Sequence, residues 1–222
     1  MVLTQDEAKL DVEWIKCRSS LLYYLTHYVF IQDSINQSII QWRQHPHLME
    51  LIDSVQRWSD QPAPRKPLYI HIFKSRQVYT TTTLAGIASW MCTFFESSRV
   101  LELSKKETDA SDFLDKSRFI NINHPNFLQL KLAPDQASLI GYPATHSRIK
   151  ALPATDDAGR STDATLVVTD EWEYHPFAEE NFAAVKPTID KGGIFIGAST
   201  VDKTNMESFP KKVWREAKSG EN

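Results

Sequence analysis

The stretch that decides the fold is Leu68-Tyr69-Ile70-His71-Ile72-Phe73, followed without a break by Lys74-Ser75-Arg76-Gln77-Val78-Tyr79-Thr80-Thr81. Its first six residues are apolar, β-branched or aromatic and read as a short strand. The polar turn after them opens a threonine-rich helix expected over 81–95. Upstream, SDQPAPRKP (59–67) carries Pro62, Pro64 and Pro67, which can neither propagate a helix nor pair within a central strand, so it is a connection. A strand that passes through a cationic, hydroxyl-bearing turn into a helix is the start of a βα unit.

The same alternation repeats downstream. Residues 99–103 (RVLEL) read as a second strand and 105–120 as a charged helix, with Phe113, Leu114 and Ile120 for its buried side. Residues 138–142 and 148–152 are expected to form a hairpin about Pro143-Ala144-Thr145-His146, and 154–164 is a loop. Leu166-Val167-Val168-Thr169 is a buried strand ending in Asp170 and Glu171. A helix is expected over 177–185, and Gly192-Gly193 turns the chain into a strand over 194–198. Strands and helices alternating at this spacing predict a three-layer α/β domain with a mostly parallel sheet. Residues 6–58 read mostly as helix, interrupted at 33–37.

Composition narrows the function classes. The chain has 222 residues, with 25 basic against 28 acidic side chains and a net charge of -3. That is one domain or a little more, with no strongly basic carpet for nucleic acid, so any DNA contact must come from a local patch or an oligomer. No run approaches the ~20 apolar residues of a membrane span, and MVLTQDEAKLDVEW lacks the regions of a secretion signal, so a soluble, non-secreted chain is expected. Cys17 and Cys92 lie far apart without metal-ligand spacing, and the seven histidines form no metal-binding pattern.

In open parallel sheets ligands bind beyond the carboxyl ends of the strands. Here those ends deliver Lys74, Ser75, Arg76 and Gln77, then Asp170 and Glu171, then Ser199 and Thr200. A cationic turn opening a helix can cradle phosphates, and paired carboxylates can hold Mg²⁺ and orient a water. Together they suggest nucleoside triphosphate hydrolysis. The standard phosphate loop GxxxxGK[ST] is matched over 74–81 only at Thr81, because Lys74 and Tyr79 replace both glycines and Thr80 replaces the lysine. Trp172, Tyr174, His175 and Phe177 after the acids read as packing for the next helix rather than as a stacking platform.

Three motifs in order resemble the large subunits of terminases, the ATPase motors that package DNA into tailed-phage and herpesvirus-type capsids. FKSRQVYTTTTLA (73–85) is similar to that family's phosphate-binding segment, K-[AS]-R-Q-x-G-x-[ST]. LPATDDAGRSTDATLVVTDEWEYHP (152–176) is similar to its loop and Walker B region, and KPTIDKGGIFIGASTVDKTN (186–205) to its ATPase-coupling strand. Weaker similarity covers VLELSKKETDASDFLDKSRF (100–119) and the N-terminal helices, so the resemblance spans about 15–210.

The resemblance implies a P-loop NTPase-type (ASCE/RecA-like) core over 63–210, a helical extension over 1–62 and a short tail over 211–222, with no nuclease domain expected in this chain. It implies ATP and Mg²⁺ as ligands. Lys74, Ser75, Arg76, Gln77, Val78, Tyr79, Thr80 and Thr81 would form the nucleotide-binding segment, with Lys74 on the β- and γ-phosphates and Arg76 a cis partner of the γ-phosphate. Thr81 and Asp170 would hold the metal, Glu171 would act as general base, and Ser199 and Thr200 would couple hydrolysis to motion. Arg160 matches an arginine that reaches into a neighbouring subunit's site. The implied partners are double-stranded DNA, a portal protein, a small terminase subunit and further copies in a ring, in the host cytoplasm at the procapsid portal. Gln44 and Gln56 both suit an adenine-reading glutamine, and their spacing does not choose between them.

Two departures bear on activity. If φ is positive at Tyr79, a side chain there costs ~1–2 kcal/mol, enough to weaken nucleotide binding roughly tenfold or more. With Thr80 in the usual lysine position, phosphate binding rests on Lys74. These features favour the alternative of a degenerate, non-catalytic assembly or docking module.

Overall fold

The computed structural model describes residues 5–33, 36–75, 79–160 and 162–220. Two helices, α1 (Gln5–Ser19) and α2 (Leu21–Tyr28), lead into a small antiparallel hairpin, β1 (Phe30–Asp33) and β2 (Ser38–Gln41), and then α3 (Met49–Ser59). The core follows as β3 (Leu68–Lys74), α4 (Thr80–Phe94), β4 (Arg99–Ser104), α5 (Glu107–Ile122), β5 (Asp135–Gln136), β6 (Leu139–Tyr142), β7 (Ser147–Pro153), β8 (Leu166–Asp170), α6 (Ala178–Ile189), β9 (Ile194–Thr200) and α7 (Phe209–Ser219). One seven-stranded sheet runs in the order β3-β9-β8-β4-β7-β6-β5. Its first five strands are parallel, and β6 and β5 add antiparallel at the far edge. Strand β9 therefore lies between the strand that carries Lys74 and the strand that carries Asp170.

Strand parity sorts the layers. Even-numbered Val100, Leu166, Val168, Ile194, Ile196 and Ala198 pack with α4 and α5, while Leu101, Leu103, Val167 and Phe195 pack with α6 and α7. On the first face α4 is buried along almost its whole length. The N-terminal helices cover it there and share its core: Trp90 Nε1 donates to the Cys17 carbonyl at 2.8 Å, and Trp42 Nε1 donates to Thr83 Oγ1 at 3.0 Å. On the second face Trp172 is fully buried against Phe182, Phe195 and Phe209. Gly197 makes room for it, since a methyl group there would stand 2.4 Å from Trp172 Cε3.

The sequence expectation of plain helix with a break before residue 58 differs from the structure, which has a hairpin at 30–41. Phe30, Ile31, Ile39 and Ile40 have β-favouring side chains on both sides of the break, and pairing them satisfies backbone groups that an interrupted helix would leave open. Strand β9 also runs two residues past its expected end, because it pairs with β3 through Lys74–Thr200.

The core carries a titration. His124 is buried beside Tyr24, sharing a 2.9 Å hydrogen bond between Nε2 and the phenol, and burial pushes its imidazole down from 6.5 to about 4. Between those values the unfolded chain binds a proton at this residue that the folded chain does not. His124 thus takes nothing from stability above about pH 6.5 and an increasing amount as pH falls below it. Glu102, discussed below, titrates with the opposite sign, so the imidazole is isolated by comparison with a variant. The stability advantage of the wild type over His124→Gln is expected to shrink by about 2 kcal/mol between pH 7.5 and pH 5 in urea titrations. A gap that stays constant would place the imidazole in contact with water.

No helix among the described residues is long and apolar enough to cross a membrane.

Candidate nucleotide site

The carboxyl ends of β3, β9 and β8 bring the predicted residues together. Register does most of the work: Lys74 pairs with Thr200 across β3 and β9, and Asp170 pairs with Ala198 across β9 and β8. All are even-numbered and face α4. Lys74 Nζ lies 2.7 Å from Glu171 Oε1 and 3.6 Å from Asp170 Oδ1, largely buried between them. Thr81, in the first turn of α4, donates from Oγ1 to Asp170 Oδ2 at 2.5 Å.

Glu171 reaches this cluster because the chain leaves β8 through a left-handed residue. At φ 52° Glu171 folds back and its carboxylate accepts from the Thr200 amide at 3.2 Å and hydroxyl at 2.9 Å, in addition to Lys74. Burial pushes this carboxyl up, but the bonds from Lys74 and Thr200 outweigh it and hold the group below its ordinary value, ionised at neutral pH. Behind it, buried His175 donates from Nε2 to the Asp170 carbonyl at 2.8 Å. Burial lowers its affinity for a second proton.

Ser199 and Thr200, the residues expected to couple, divide between the faces. Thr200 touches Glu171, whereas Ser199 points the other way, accepts from the Glu173 amide at 3.0 Å and donates to the Thr200 carbonyl. Glu173, also buried, accepts from Ser208 Oγ at 2.8 Å and pairs with Lys211 at 3.1 Å, tying the turn after β8 to the start of α7. Nothing in the sequence signalled this second network, whose members are distant in the chain and ordinary in type.

Tyr79 is the residue before α4, and its φ is +58°, the left-handed value at which a glycine would be free of strain. Its ring lies parallel to that of His45, 15° between planes and 4.8 Å between centroids, and dispersion across the stack offsets part of the ~1–2 kcal/mol backbone cost. Thr80 is buried against the core and presents no cation. Ser75 is exposed beside the turn, and Arg76, Gln77 and Val78 lie outside the described residues. Arg160 is exposed on the loop between β7 and β8. That loop is held to α6 by Asn181 Nδ2, which donates to the carbonyls of Thr155 and Ala158. Gln56 is occupied in joining α3 to α2, accepting from the Leu21 amide and donating to the Ser19 carbonyl, which leaves Gln44 the more open of the two glutamines.

Chemically, the cluster offers a buried cation, a hydroxyl from the first turn of a helix and a carboxylate 2.5 Å apart, and a second carboxylate on the same cation. Oxygen donors of this kind suit Mg²⁺, a hard cation that keeps several waters.

No protein-family profile matches the sequence. Solved structures do resemble it. The large terminase of bacteriophage HK97 superposes with a TM-score of 0.70 at 15% identity, over 91% of this chain and 42% of that one. The ATPase domain of the large terminase from Thermus phage P74-26 gives 0.56 at 14%, over 74% and 67%. The large terminase of the thermophilic bacteriophage D6E gives 0.57 at 9%, over 78% and 43%. The chain thus spans less than half the length of the HK97 and D6E proteins. Its fold, a RecA-like sheet of mostly parallel strands between helical layers, is that of the phage large-terminase ATPase domain.

Proposed function

We propose that this chain is the ATP-hydrolysing motor domain of a phage large terminase, with 63–210 as the ATPase core, 1–62 as its N-terminal extension and 211–222 as a tail. The observation that carries this reading is the meeting of Lys74, Thr81, Asp170, Glu171 and Thr200 at the carboxyl ends of adjacent parallel strands, in a chain with this fold. Lys74 would bind β- and γ-phosphate oxygens, with Ser75 through Thr80 forming the rest of the phosphate segment and Arg76 facing the γ-phosphate. Thr81 and Asp170 would hold Mg²⁺, which supplies charge neutralisation for the phosphates.

In the geometry described, Lys74 neutralises Glu171. A γ-phosphate arriving at Lys74 would compete for that ammonium, releasing one Glu171 oxygen to take a proton from the attacking water while the other stays with Thr200. Thr200 and Ser199 would carry that change to the Glu173–Lys211 pair and α7. Arg160, exposed on its loop, would serve a neighbouring copy in a ring, and DNA, portal and small-subunit contacts belong to that assembly at the procapsid in the host cytoplasm. Tyr79 and Thr80 favour the second reading, a non-catalytic docking module, because a strained tyrosine and a buried threonine stand where the usual loop has glycine and lysine.

Calorimetry with Mg-ATP separates the two. The motor reading expects saturable binding by the folded wild-type chain below millimolar concentration. A well-folded chain that takes up no ATP at millimolar levels would sink the motor reading and leave the docking module.

A further inference from the structure

One glutamate in the core has no part in the site described so far. Glu102 sits on β4, next to β8, in the register that pairs it with Val168, two residues before Asp170 on the same face of the sheet. Its side chain is fully buried, at 0% exposure, among apolar strand residues. One oxygen, Oε1, accepts from Ser104 Oγ, while Oε2 has no hydrogen-bond partner among the described residues. Glu102 nevertheless lines a cleft of about 190 Å³, whose other walls include Thr81, Ser104, Asp170, Glu171 and Lys116.

A carboxyl on a central strand is an expensive core group, and an alanine or valine at this position would pack without penalty. Burial, followed by the nearby charges of Asp170 and Asp109, pushes its affinity for a proton well above the carboxylate range, against the Ser104 bond and Lys116. A group that burdens the fold, with one oxygen unpaired beside the Thr81–Asp170 pair, is placed for a ligand rather than for stability. Direct coordination is not required: a divalent cation nearby favours the ionised form of the carboxyl, and one that keeps its waters presents O–H donors to the oxygens around it.

We propose that Glu102 is a positioning residue of the nucleotide site, its free Oε2 accepting a hydrogen bond from the water shell of the divalent cation held by Thr81 and Asp170. The proposal rests on the nucleotide-site reading above and adds a carboxyl from a third strand. The test is Mn²⁺ titration, followed by the electron paramagnetic resonance of the free ion, into the chain loaded with a non-hydrolysable ATP analogue. Two variants are compared with the wild type: Glu102→Gln, isosteric with the neutral acid, and Glu102→Met, of similar volume and apolar.

The expected result is cooperative melting at or above the wild-type temperature for both variants, with Mn²⁺ affinity lowered roughly tenfold or more. Affinity for the analogue without metal should be unchanged. A folded variant that binds Mn²⁺ within about twofold of wild type would overturn the role of Glu102 while leaving the nucleotide site standing. Two variants that both fail to fold would mark Glu102 as structural and overturn it too. A wild-type chain that takes neither analogue nor Mn²⁺ would bring down the nucleotide-site reading itself, and this inference with it.

Discussion

Replacing Lys74 with alanine is expected to weaken Mg-ATP binding by about 10- to 100-fold, the loss that follows from removing a charged hydrogen bond worth ~1.5–3 kcal/mol. The effect should be large because Thr80, at the usual lysine position, is buried and carries only a hydroxyl. In the wild type the ammonium is already near its working place, 2.7 Å from Glu171 and 3.6 Å from Asp170. The variant also leaves these carboxylates facing each other without a cation. Their repulsion, partly screened because Glu171 is about two-fifths exposed, should lower the melting temperature modestly. Calorimetry on samples with matched circular dichroism checks it. An affinity within about threefold of wild type would mean that the phosphates bind elsewhere.

How much of this was legible beforehand differs by element. The strand ending in Asp170 and Glu171 was plain because a buried parallel strand is apolar on both faces, and LVVT is. The strand before Lys74 was plain from its β-branched and aromatic residues, although it lies partly buried at the sheet edge. The hairpin at 30–41 was hidden because its short strands lie among residues with helical spacing, and only tertiary packing on α2 and α5 selects the extended form. Within the site, Lys74, Asp170 and Glu171 came from their places at strand ends and Thr81 from its match to the phosphate-loop pattern, and hydrogen bonds and ion pairs join all four in the fold. The strained backbone at Tyr79 followed from its alignment with a loop glycine, and the observed φ of +58° agrees.

Glu102 was passed over, although a signal existed. In Val100-Leu101-Glu102-Leu103 a lone acid interrupts an apolar strand, at a position whose parity matches Asp170 once the register is known. Register is a tertiary fact, and without it the residue is one more charge in a half-buried strand. Arg160 is the reverse case. Its loop is recognisable by resemblance, and the structure adds only that the side chain is exposed there.

The second large effect concerns Glu171. Glu171→Gln is expected to lower ATP turnover by about 10²–10⁴-fold, the usual share of a general base, while nucleotide affinity stays the same or tightens a few-fold. Affinity should not fall because glutamine keeps the acceptor oxygen for Thr200 and gives up only the charge that competes with phosphate for Lys74. The wild-type carboxylate is held below its ordinary proton affinity by Lys74 and Thr200, which in the resting site makes it a weak base. Once the γ-phosphate draws Lys74 away, the burial that already opposes ionisation has one less bond to overcome, and the basicity of Glu171 rises where the attacking water needs it. On this reading, the contact that keeps the acid quiet without nucleotide would prime it with nucleotide. Single-turnover measurements at saturating ATP test the argument directly: turnover within tenfold of wild type in a variant that still binds would remove Glu171 from the proton transfer and leave it only the task of holding Lys74 and Thr200 in register.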